Sequence, residues 1–206
     1  MFGEKPPGIL AGMVRVQNVD VSDQRVDVGN GVSVPATWTV VIEGESGVPG
    51  AIQVHVAYDP TLSRTVADEV RVLRAGDGDE VTSLTLREVR VQYALQASGL
   101  EVSTVSEYGH PPATGAEYLR RMQERTDRDL TASVVDASTT YRLAVTINLP
   151  PLKAVADCLG VSQSTATRLM NRARMEGLAP GVDLPDPSAT GPIVGASAPG
   201  GPIIGR

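Results

Sequence analysis

The chain has 206 residues, room for one medium domain or two small ones, and carries 18 Lys+Arg against 24 Asp+Glu, a formal charge of -6. Aromatic residues are 3% of it, with one Trp and one Phe, so any core must be built from Val, Leu, Ile and Ala. A single cysteine, Cys158, excludes an internal disulfide, and no apolar stretch has the length of a signal peptide or membrane span, so a cytoplasmic protein with no membrane association is expected.

The first half of the chain alternates apolar and polar residues with a period of two. Met13–Val16, Arg25–Val28, Val32–Val34, Thr37–Ile42 and Ile52–Val56 read as strands of an antiparallel sheet, with Asn30-Gly31 and Glu43–Gly47 as hairpin turns. A further strand is expected near Val70–Leu73. The sheet needs a cover for its apolar face, which a helix over about 83–97 would supply through Leu86, Val89, Tyr93 and Ala97. Trp38 reads as a core residue and His55 as an ordinary strand histidine, because nothing chemically complementary lies beside them. Asp77-Gly78-Asp79-Glu80 lacks the spaced oxygen ligands and closing Glu of a calcium loop and reads as a solvated turn. Nothing in this half selects among ligand sensing, dimerisation, docking and scaffolding.

Residues 107–114 contain Gly109-His110-Pro111-Pro112 and read as a linker. A short helix over about 115–125 follows. Its Arg120, Arg121, Arg125 and Arg128 are interleaved with Glu117, Glu124, Asp127 and Asp129, which predicts a solvated helix with i,i+4 pairs. Thr126 with Asp129 resembles a capping box, and Leu130, Val134, Ala137, Tyr141, Ala144 and Asn148 then recur at helical spacing.

The most informative segment runs from Leu152 to Gly177. Leu152, Val155, Ala156 and Leu159 form one apolar stripe after Pro150-Pro151, which stop one helix and open the next. Gly160 supplies a left-handed exit and Ser162 an N-cap able to accept from the amides of Ser164 or Thr165. In the second helix Ala166, Leu169, Met170 and Ala173 face inward. This is the layout of a helix-turn-helix whose second helix enters the DNA major groove. Gln163, Ser164, Thr167, Arg168 and Asn171 are then the candidates to read base edges, and Lys153, Ser162, Arg172 and Arg174 the candidates to hold phosphates.

Ala154-Val155-Ala156, Gly160-Val161-Ser162, Ser164-Thr165-Ala166 and the Ala173-Arg174 to Gly177-Leu178 ending resemble the small helix-turn-helix domains of actinobacterial and actinophage proteins. The resemblance covers the C-terminal part only and implies DNA binding without naming a target. Asn148-Leu149 departs from it, since such domains usually carry a glycine-containing loop there.

Charge divides along the chain. Residues 1–116 hold 8 Lys+Arg against 15 Asp+Glu, whereas residues 117–178 hold 9 against 7, so the positive balance falls on the segment expected to bind DNA. So small an excess allows few phosphate contacts and points to a homodimer. No phosphate-binding, dinucleotide-binding, nucleophile-elbow or metal-ligand motif occurs, so no catalytic residue, cofactor or metal is expected and the protein reads as a non-enzyme. From Pro180 the chain is rich in Pro, Gly, Ala and Ser, which predicts disorder.

The expected fold is therefore α+β: a β-rich domain over 1–106 with a covering helix, a linker over 107–114, an all-α helix-turn-helix domain over 115–178 and a tail over 179–206. The expected function is DNA-binding transcription regulation, with double-stranded DNA as partner; whether the β domain takes a protein partner or a ligand is left open. The alternative is an adaptor or assembly protein, such as a phage packaging or scaffold component, whose helical hairpin makes protein contacts.

Overall fold

The computed structural model describes residues 14–179; Met13, the first residue of the first expected strand, and the expected disorder from Pro180 lie outside them. Six strands lead: β1 (Arg15–Val19), β2 (Arg25–Gly29), β3 (Val32–Pro35), β4 (Thr37–Glu43), β5 (Ala51–Asp59) and β6 (Arg64–Leu73). Then come α1 (Ser83–Arg87), α2 (Val91–Val102), β7 (Thr104–Val105), β8 (Ala113–Thr114), α3 (Gly115–Glu124), α4 (Leu130–Thr146), α5 (Pro151–Leu159) and α6 (Gln163–Met175). The fold is α+β, with strands mainly in the N-terminal half and helices mainly in the C-terminal half.

The strands form two antiparallel sheets where the periodicity suggested one. The larger has the order β1-β4-β5-β6 and the smaller β2-β3-β7-β8. The chain changes sheet between Pro35 and Thr37. Proline has no N–H to give a ladder, so β3 stops there. Ala36 bridges the two sheets, its amide donating to the Gln24 carbonyl at 2.7 Å and its carbonyl accepting from the Tyr58 amide at 3.0 Å. Asn30-Gly31 does form the β2–β3 turn, with φ of 57° and 73° as a tight hairpin requires. Gly31 is needed sterically as well, because a Cβ there would lie 2.3 Å from the Ser106 carbonyl oxygen.

Alternation on β4 and β5 turns Trp38, Val40, Ile42, Ile52, Val54 and Val56 inward, where all are buried, at about 1.5–3 kcal/mol of hydrophobic stabilisation per large side chain. Ala94 and Leu95 of α2 cover them. The cover differs from expectation. Thr82 caps α1 through Thr85, and α2 starts afresh at Val91, so no single stripe runs through both. Leu86 and Tyr93 consequently stand exposed, while Ala94, Leu95, Ser98 and Gly99 face the sheet. Ser98 is buried for a polar reason: its hydroxyl accepts from the Trp38 indole N–H at 3.1 Å.

Two further cores follow. Val32, Val105, Tyr118, Met122, Leu143, Ile147 and Cys158 make one, drawn from strands and helices alike. Residues 107–114, read from sequence as a linker, run from β7 to β8, which pair through Thr104↔Thr114 and Val105↔Ala113. The other core lies among α4, α5 and α6 and contains Val134, Ala137, Tyr141, Val155, Ala156, Ala166, Leu169, Met170 and Ala173. Ala179, the first residue of the expected tail, is buried against it. The cap of α4 is Asp129, whose carboxylate accepts from the Ala132 amide at 2.7 Å; Thr126 lies a turn too early to serve.

Candidate nucleic-acid interface

Pro151 opens α5 at its first position, where the missing N–H costs nothing, and Gly160 closes it at φ 66°, ψ 33°, a left-handed conformation that a β-carbon disfavours. Two residues later Ser162 caps α6, its hydroxyl accepting from the Thr165 amide at 3.2 Å. The two helices are thus stopped, turned and restarted by three residues. Val155 and Ala156 on α5 and Ala166, Leu169, Met170 and Ala173 on α6 are buried against α4, which fixes the rotation of α6 about its axis.

That rotation decides what α6 presents. Gln163, Ser164 and Arg168 are exposed, and Thr167 and Asn171 partly so. Arg168 carries no hydrogen bond or ion pair among the described residues, and neither does Arg174. The hydroxyls are less free. Ser162 lies 2.9 Å from Ser164 and 3.0 Å from Thr165, oxygen to oxygen, and Thr167 donates to the Gln163 carbonyl at 2.9 Å.

Two of the cations expected at phosphates have carboxylate partners. Lys153 Nζ lies 2.5 Å from Asp157 and Arg172 Nε 2.6 Å from Glu176, both pairs at i,i+4 spacing and largely exposed. Exposed pairs of this kind contribute a few tenths of a kcal/mol, so each can open for a stronger anion.

The upstream arginines behave differently from a uniformly solvated helix face. Only Arg120 makes the expected i,i+4 pair, with Glu124 at 3.7 Å. Arg121 reaches Glu107 at 2.8 Å, and Arg128, 10% exposed at its side chain, lies 3.0 Å from the buried Asp136, joined there by Arg125 at 3.3 Å. Arg128 also donates to the Met122 carbonyl. These contacts tie the α3–α4 loop down. Gln123 and Thr126 then line a cleft of about 540 Å³ with Gly160 and Thr165, beside the turn into α6. Sequence spacing marks Thr126 only as a helix cap and Gln123 not at all, because the end of α3 and the loop after it are placed by the Arg128–Asp136 contact, which no local pattern encodes.

A second cleft, of about 420 Å³, lies between the β2–β3 turn, the β7–β8 loop and α4, and brings Glu107, His110 and Asp136 near one another. Its carboxylates are those already paired with Arg121, Arg125 and Arg128. Among the described residues no cluster of His, Cys, Asp and Glu could hold a metal ion, and no helix is long and apolar enough to cross a membrane.

The chain matches no family model, no curated protein and no solved structure.

Proposed function

We propose that the protein binds double-stranded DNA through α5 and α6 as a helix-turn-helix, and acts as a transcription regulator of an actinobacterium or its phage. The observation that carries this reading is the outward row Gln163, Ser164, Thr167, Arg168 and Asn171 on a helix whose opposite face is buried. Gln, Asn and Arg can each make paired hydrogen bonds to a base edge, and Arg168 has no partner among the described residues to give up first. Lys153, Ser162, Arg172 and Arg174 are assigned to phosphates, which set orientation and affinity. On this reading the helical residues 115–178 form the binding domain, the β-rich part supports it or mediates association, and a homodimer supplies the second half-site.

One observation favours protein contact by the same surface. Asp157 and Glu176 offset Lys153 and Arg172, and Met175 stands 88% exposed on α6. Apolar exposure beside balanced charge suits a protein partner of an adaptor or assembly component.

Selection of sites from a random double-stranded DNA pool by the purified chain, followed by titration at two salt concentrations, separates the two. The DNA reading expects an enriched motif and a log–log salt slope of several units. Arg168→Ala should then cost about 1–3 kcal/mol on the preferred site and little on random DNA, whereas Arg174→Ala should weaken both. Absence of an enriched motif together with salt-independent binding overturns the proposal.

A further inference from the structure

Among the described residues β6 is an outer strand, paired in its sheet with β5 alone. It is ten residues long, and an unpaired edge of that length offers a row of outward N–H and C=O groups to another strand. Its two ends differ. At the first, Thr65 is buried, its carbonyl accepting from Asn148 Nδ2 at 2.6 Å and its hydroxyl donating to the Thr146 carbonyl at 2.9 Å. From Asp68 to Leu73 every residue but Val72 is exposed, including Val70 at 42% and Leu73 at 40%. Pairing with β5 sets the faces: Val70 and Val72 lie opposite buried Val54 and Ile52, on the core side, and Glu69 and Arg71 lie opposite His55 and Gln53, on the other.

We infer that the Glu69–Leu73 edge of β6, beyond the bulge that sets Asp68 2.6 Å from His55, pairs antiparallel with the same edge of a second copy, about a two-fold axis at Val70, joining two four-stranded sheets into one. Residues directly opposite in an antiparallel pair share a face, so a continuous core face requires the axis to pass through a residue rather than between two. Charge then selects which residue. An axis at Asp68, Glu69 or Arg71 sets like charges directly opposite, which destabilises a pair. An axis at Val70 sets Glu69 opposite Arg71 of the second copy, twice by symmetry, and buries Val70 against its equivalent. Within one copy Glu69 and Arg71 lie 2.6 Å apart and are half-exposed, so both are available to a neighbour. Charges on an edge strand ordinarily obstruct pairing; here they obstruct the axes at Glu69 and Arg71, while an axis at Val72 sets Arg71 opposite Leu73 and gains no ion pair.

The pairing does not depend on DNA binding, but it has a consequence for it. The bulge at Asp68 makes Thr65 to Val70 span only the four positions from Tyr58 to Val54 on β5, so at about 3.3 Å per residue the two Thr65 residues, and the α4–α5 corners bound to them, would stand roughly 26 Å apart along the strands. Half-sites one helical turn apart on DNA are separated by about 34 Å, so recognition helices serving them must stand further out than these corners.

Sedimentation of the full chain over a range of concentrations tests the inference. A reversible dimer is expected, with Glu69→Arg weakening it at least about tenfold and the double swap Glu69→Arg/Arg71→Glu restoring it. Val70→Cys should give a disulfide-linked dimer on oxidation, Cys158 being buried. A chain that stays monomeric, as when another segment of it covers the edge, overturns the inference. So does a dimer indifferent to Glu69→Arg, or one that the double swap fails to restore.

Discussion

The side-chain amide of Asn148 donates to the Thr65 carbonyl at 2.6 Å, tying the corner between α4 and α5 to the start of β6. Asn148 is held at φ 62°, and its own carbonyl accepts from Gln92 and Gln96 of α2 at 2.8 and 2.7 Å. Asn is one of the few residues other than Gly to adopt this conformation readily, and its amide satisfies a carbonyl that would otherwise be buried alone. Asn148→Ala should therefore destabilise the protein by about 2–4 kcal/mol, the loss of a buried hydrogen bond plus left-handed strain. Asn148→Gly, which keeps the backbone freedom, should cost about 1–2 kcal/mol less than that. Urea unfolding of the two variants measures the difference, and equal losses would remove the conformational part of the account.

Ser103 and Gly115 form a second coupled pair. Ser103 is fully buried and its hydroxyl finds no hydrogen-bond partner, while a Cβ on Gly115 would lie 2.3 Å from that oxygen. Removing an unsatisfied buried hydroxyl does not cost a hydrogen bond, so Ser103→Ala should leave stability unchanged or raise it by up to about 1 kcal/mol. Gly115→Ala alone should cost about 1–3 kcal/mol through overpacking, and much of that should disappear in the double variant. A double-mutant cycle reads the coupling, which additivity would disprove.

Burial pushes the Cys158 thiol above its ordinary value of 9.0, a shift reduced but not reversed by its contact with the Thr140 hydroxyl. The unfolded thiol thus ionises before the folded one. Its contribution to stability is complete below the ordinary value and drains away as pH rises through that value towards the folded one. Urea midpoints should fall between about pH 8 and pH 10, and fall less in Cys158→Ala. An identical pH profile in the variant would assign the loss to other groups. The same burial should keep the thiol unreactive towards alkylating reagents until the protein unfolds.

Asp157 and Glu176 stand on the surface proposed to face DNA, each occupied with a cation. Asp157→Asn and Glu176→Gln should each release that cation, strengthen binding to any duplex several-fold and steepen the salt dependence by up to about one unit. Fluorescence-anisotropy titrations at two ionic strengths check this. Affinity that does not change with either substitution would place Lys153 and Arg172 away from the phosphates.

What the sequence made legible was local. The period of two located β2 to β5 because one face of each strand packs inward, and Pro151, Gly160 and Ser162 marked the ends of α5 and α6 because each satisfies a need of the backbone at its own position. What it hid was relational. The change of sheet at Ala36 depends on bonds to Gln24 and Tyr58, and the burial of Ser98 on α2 depends on the Trp38 indole 60 residues before it. Asn148 stands out in the sequence, yet its role rests on Thr65, 83 residues away. For the candidate site, the outward side chains of α6 are readable from helical spacing, and so is the i,i+4 spacing of Asp157 and Glu176 to Lys153 and Arg172, but the approach of Gln123 and Thr126 to the turn requires the packing.

The core containing Val32, Val105, Leu143 and Cys158 sets a timetable for synthesis. Val32 leaves the ribosome long before Cys158, so the smaller sheet must wait, its apolar side uncovered, while the chain that will close over it is still being made. At about 5–20 residues per second that interval is on the order of ten seconds, long compared with helix or hairpin formation. The nascent protein is therefore most exposed to aggregation, and most in need of a chaperone, just before α5 and α6 emerge.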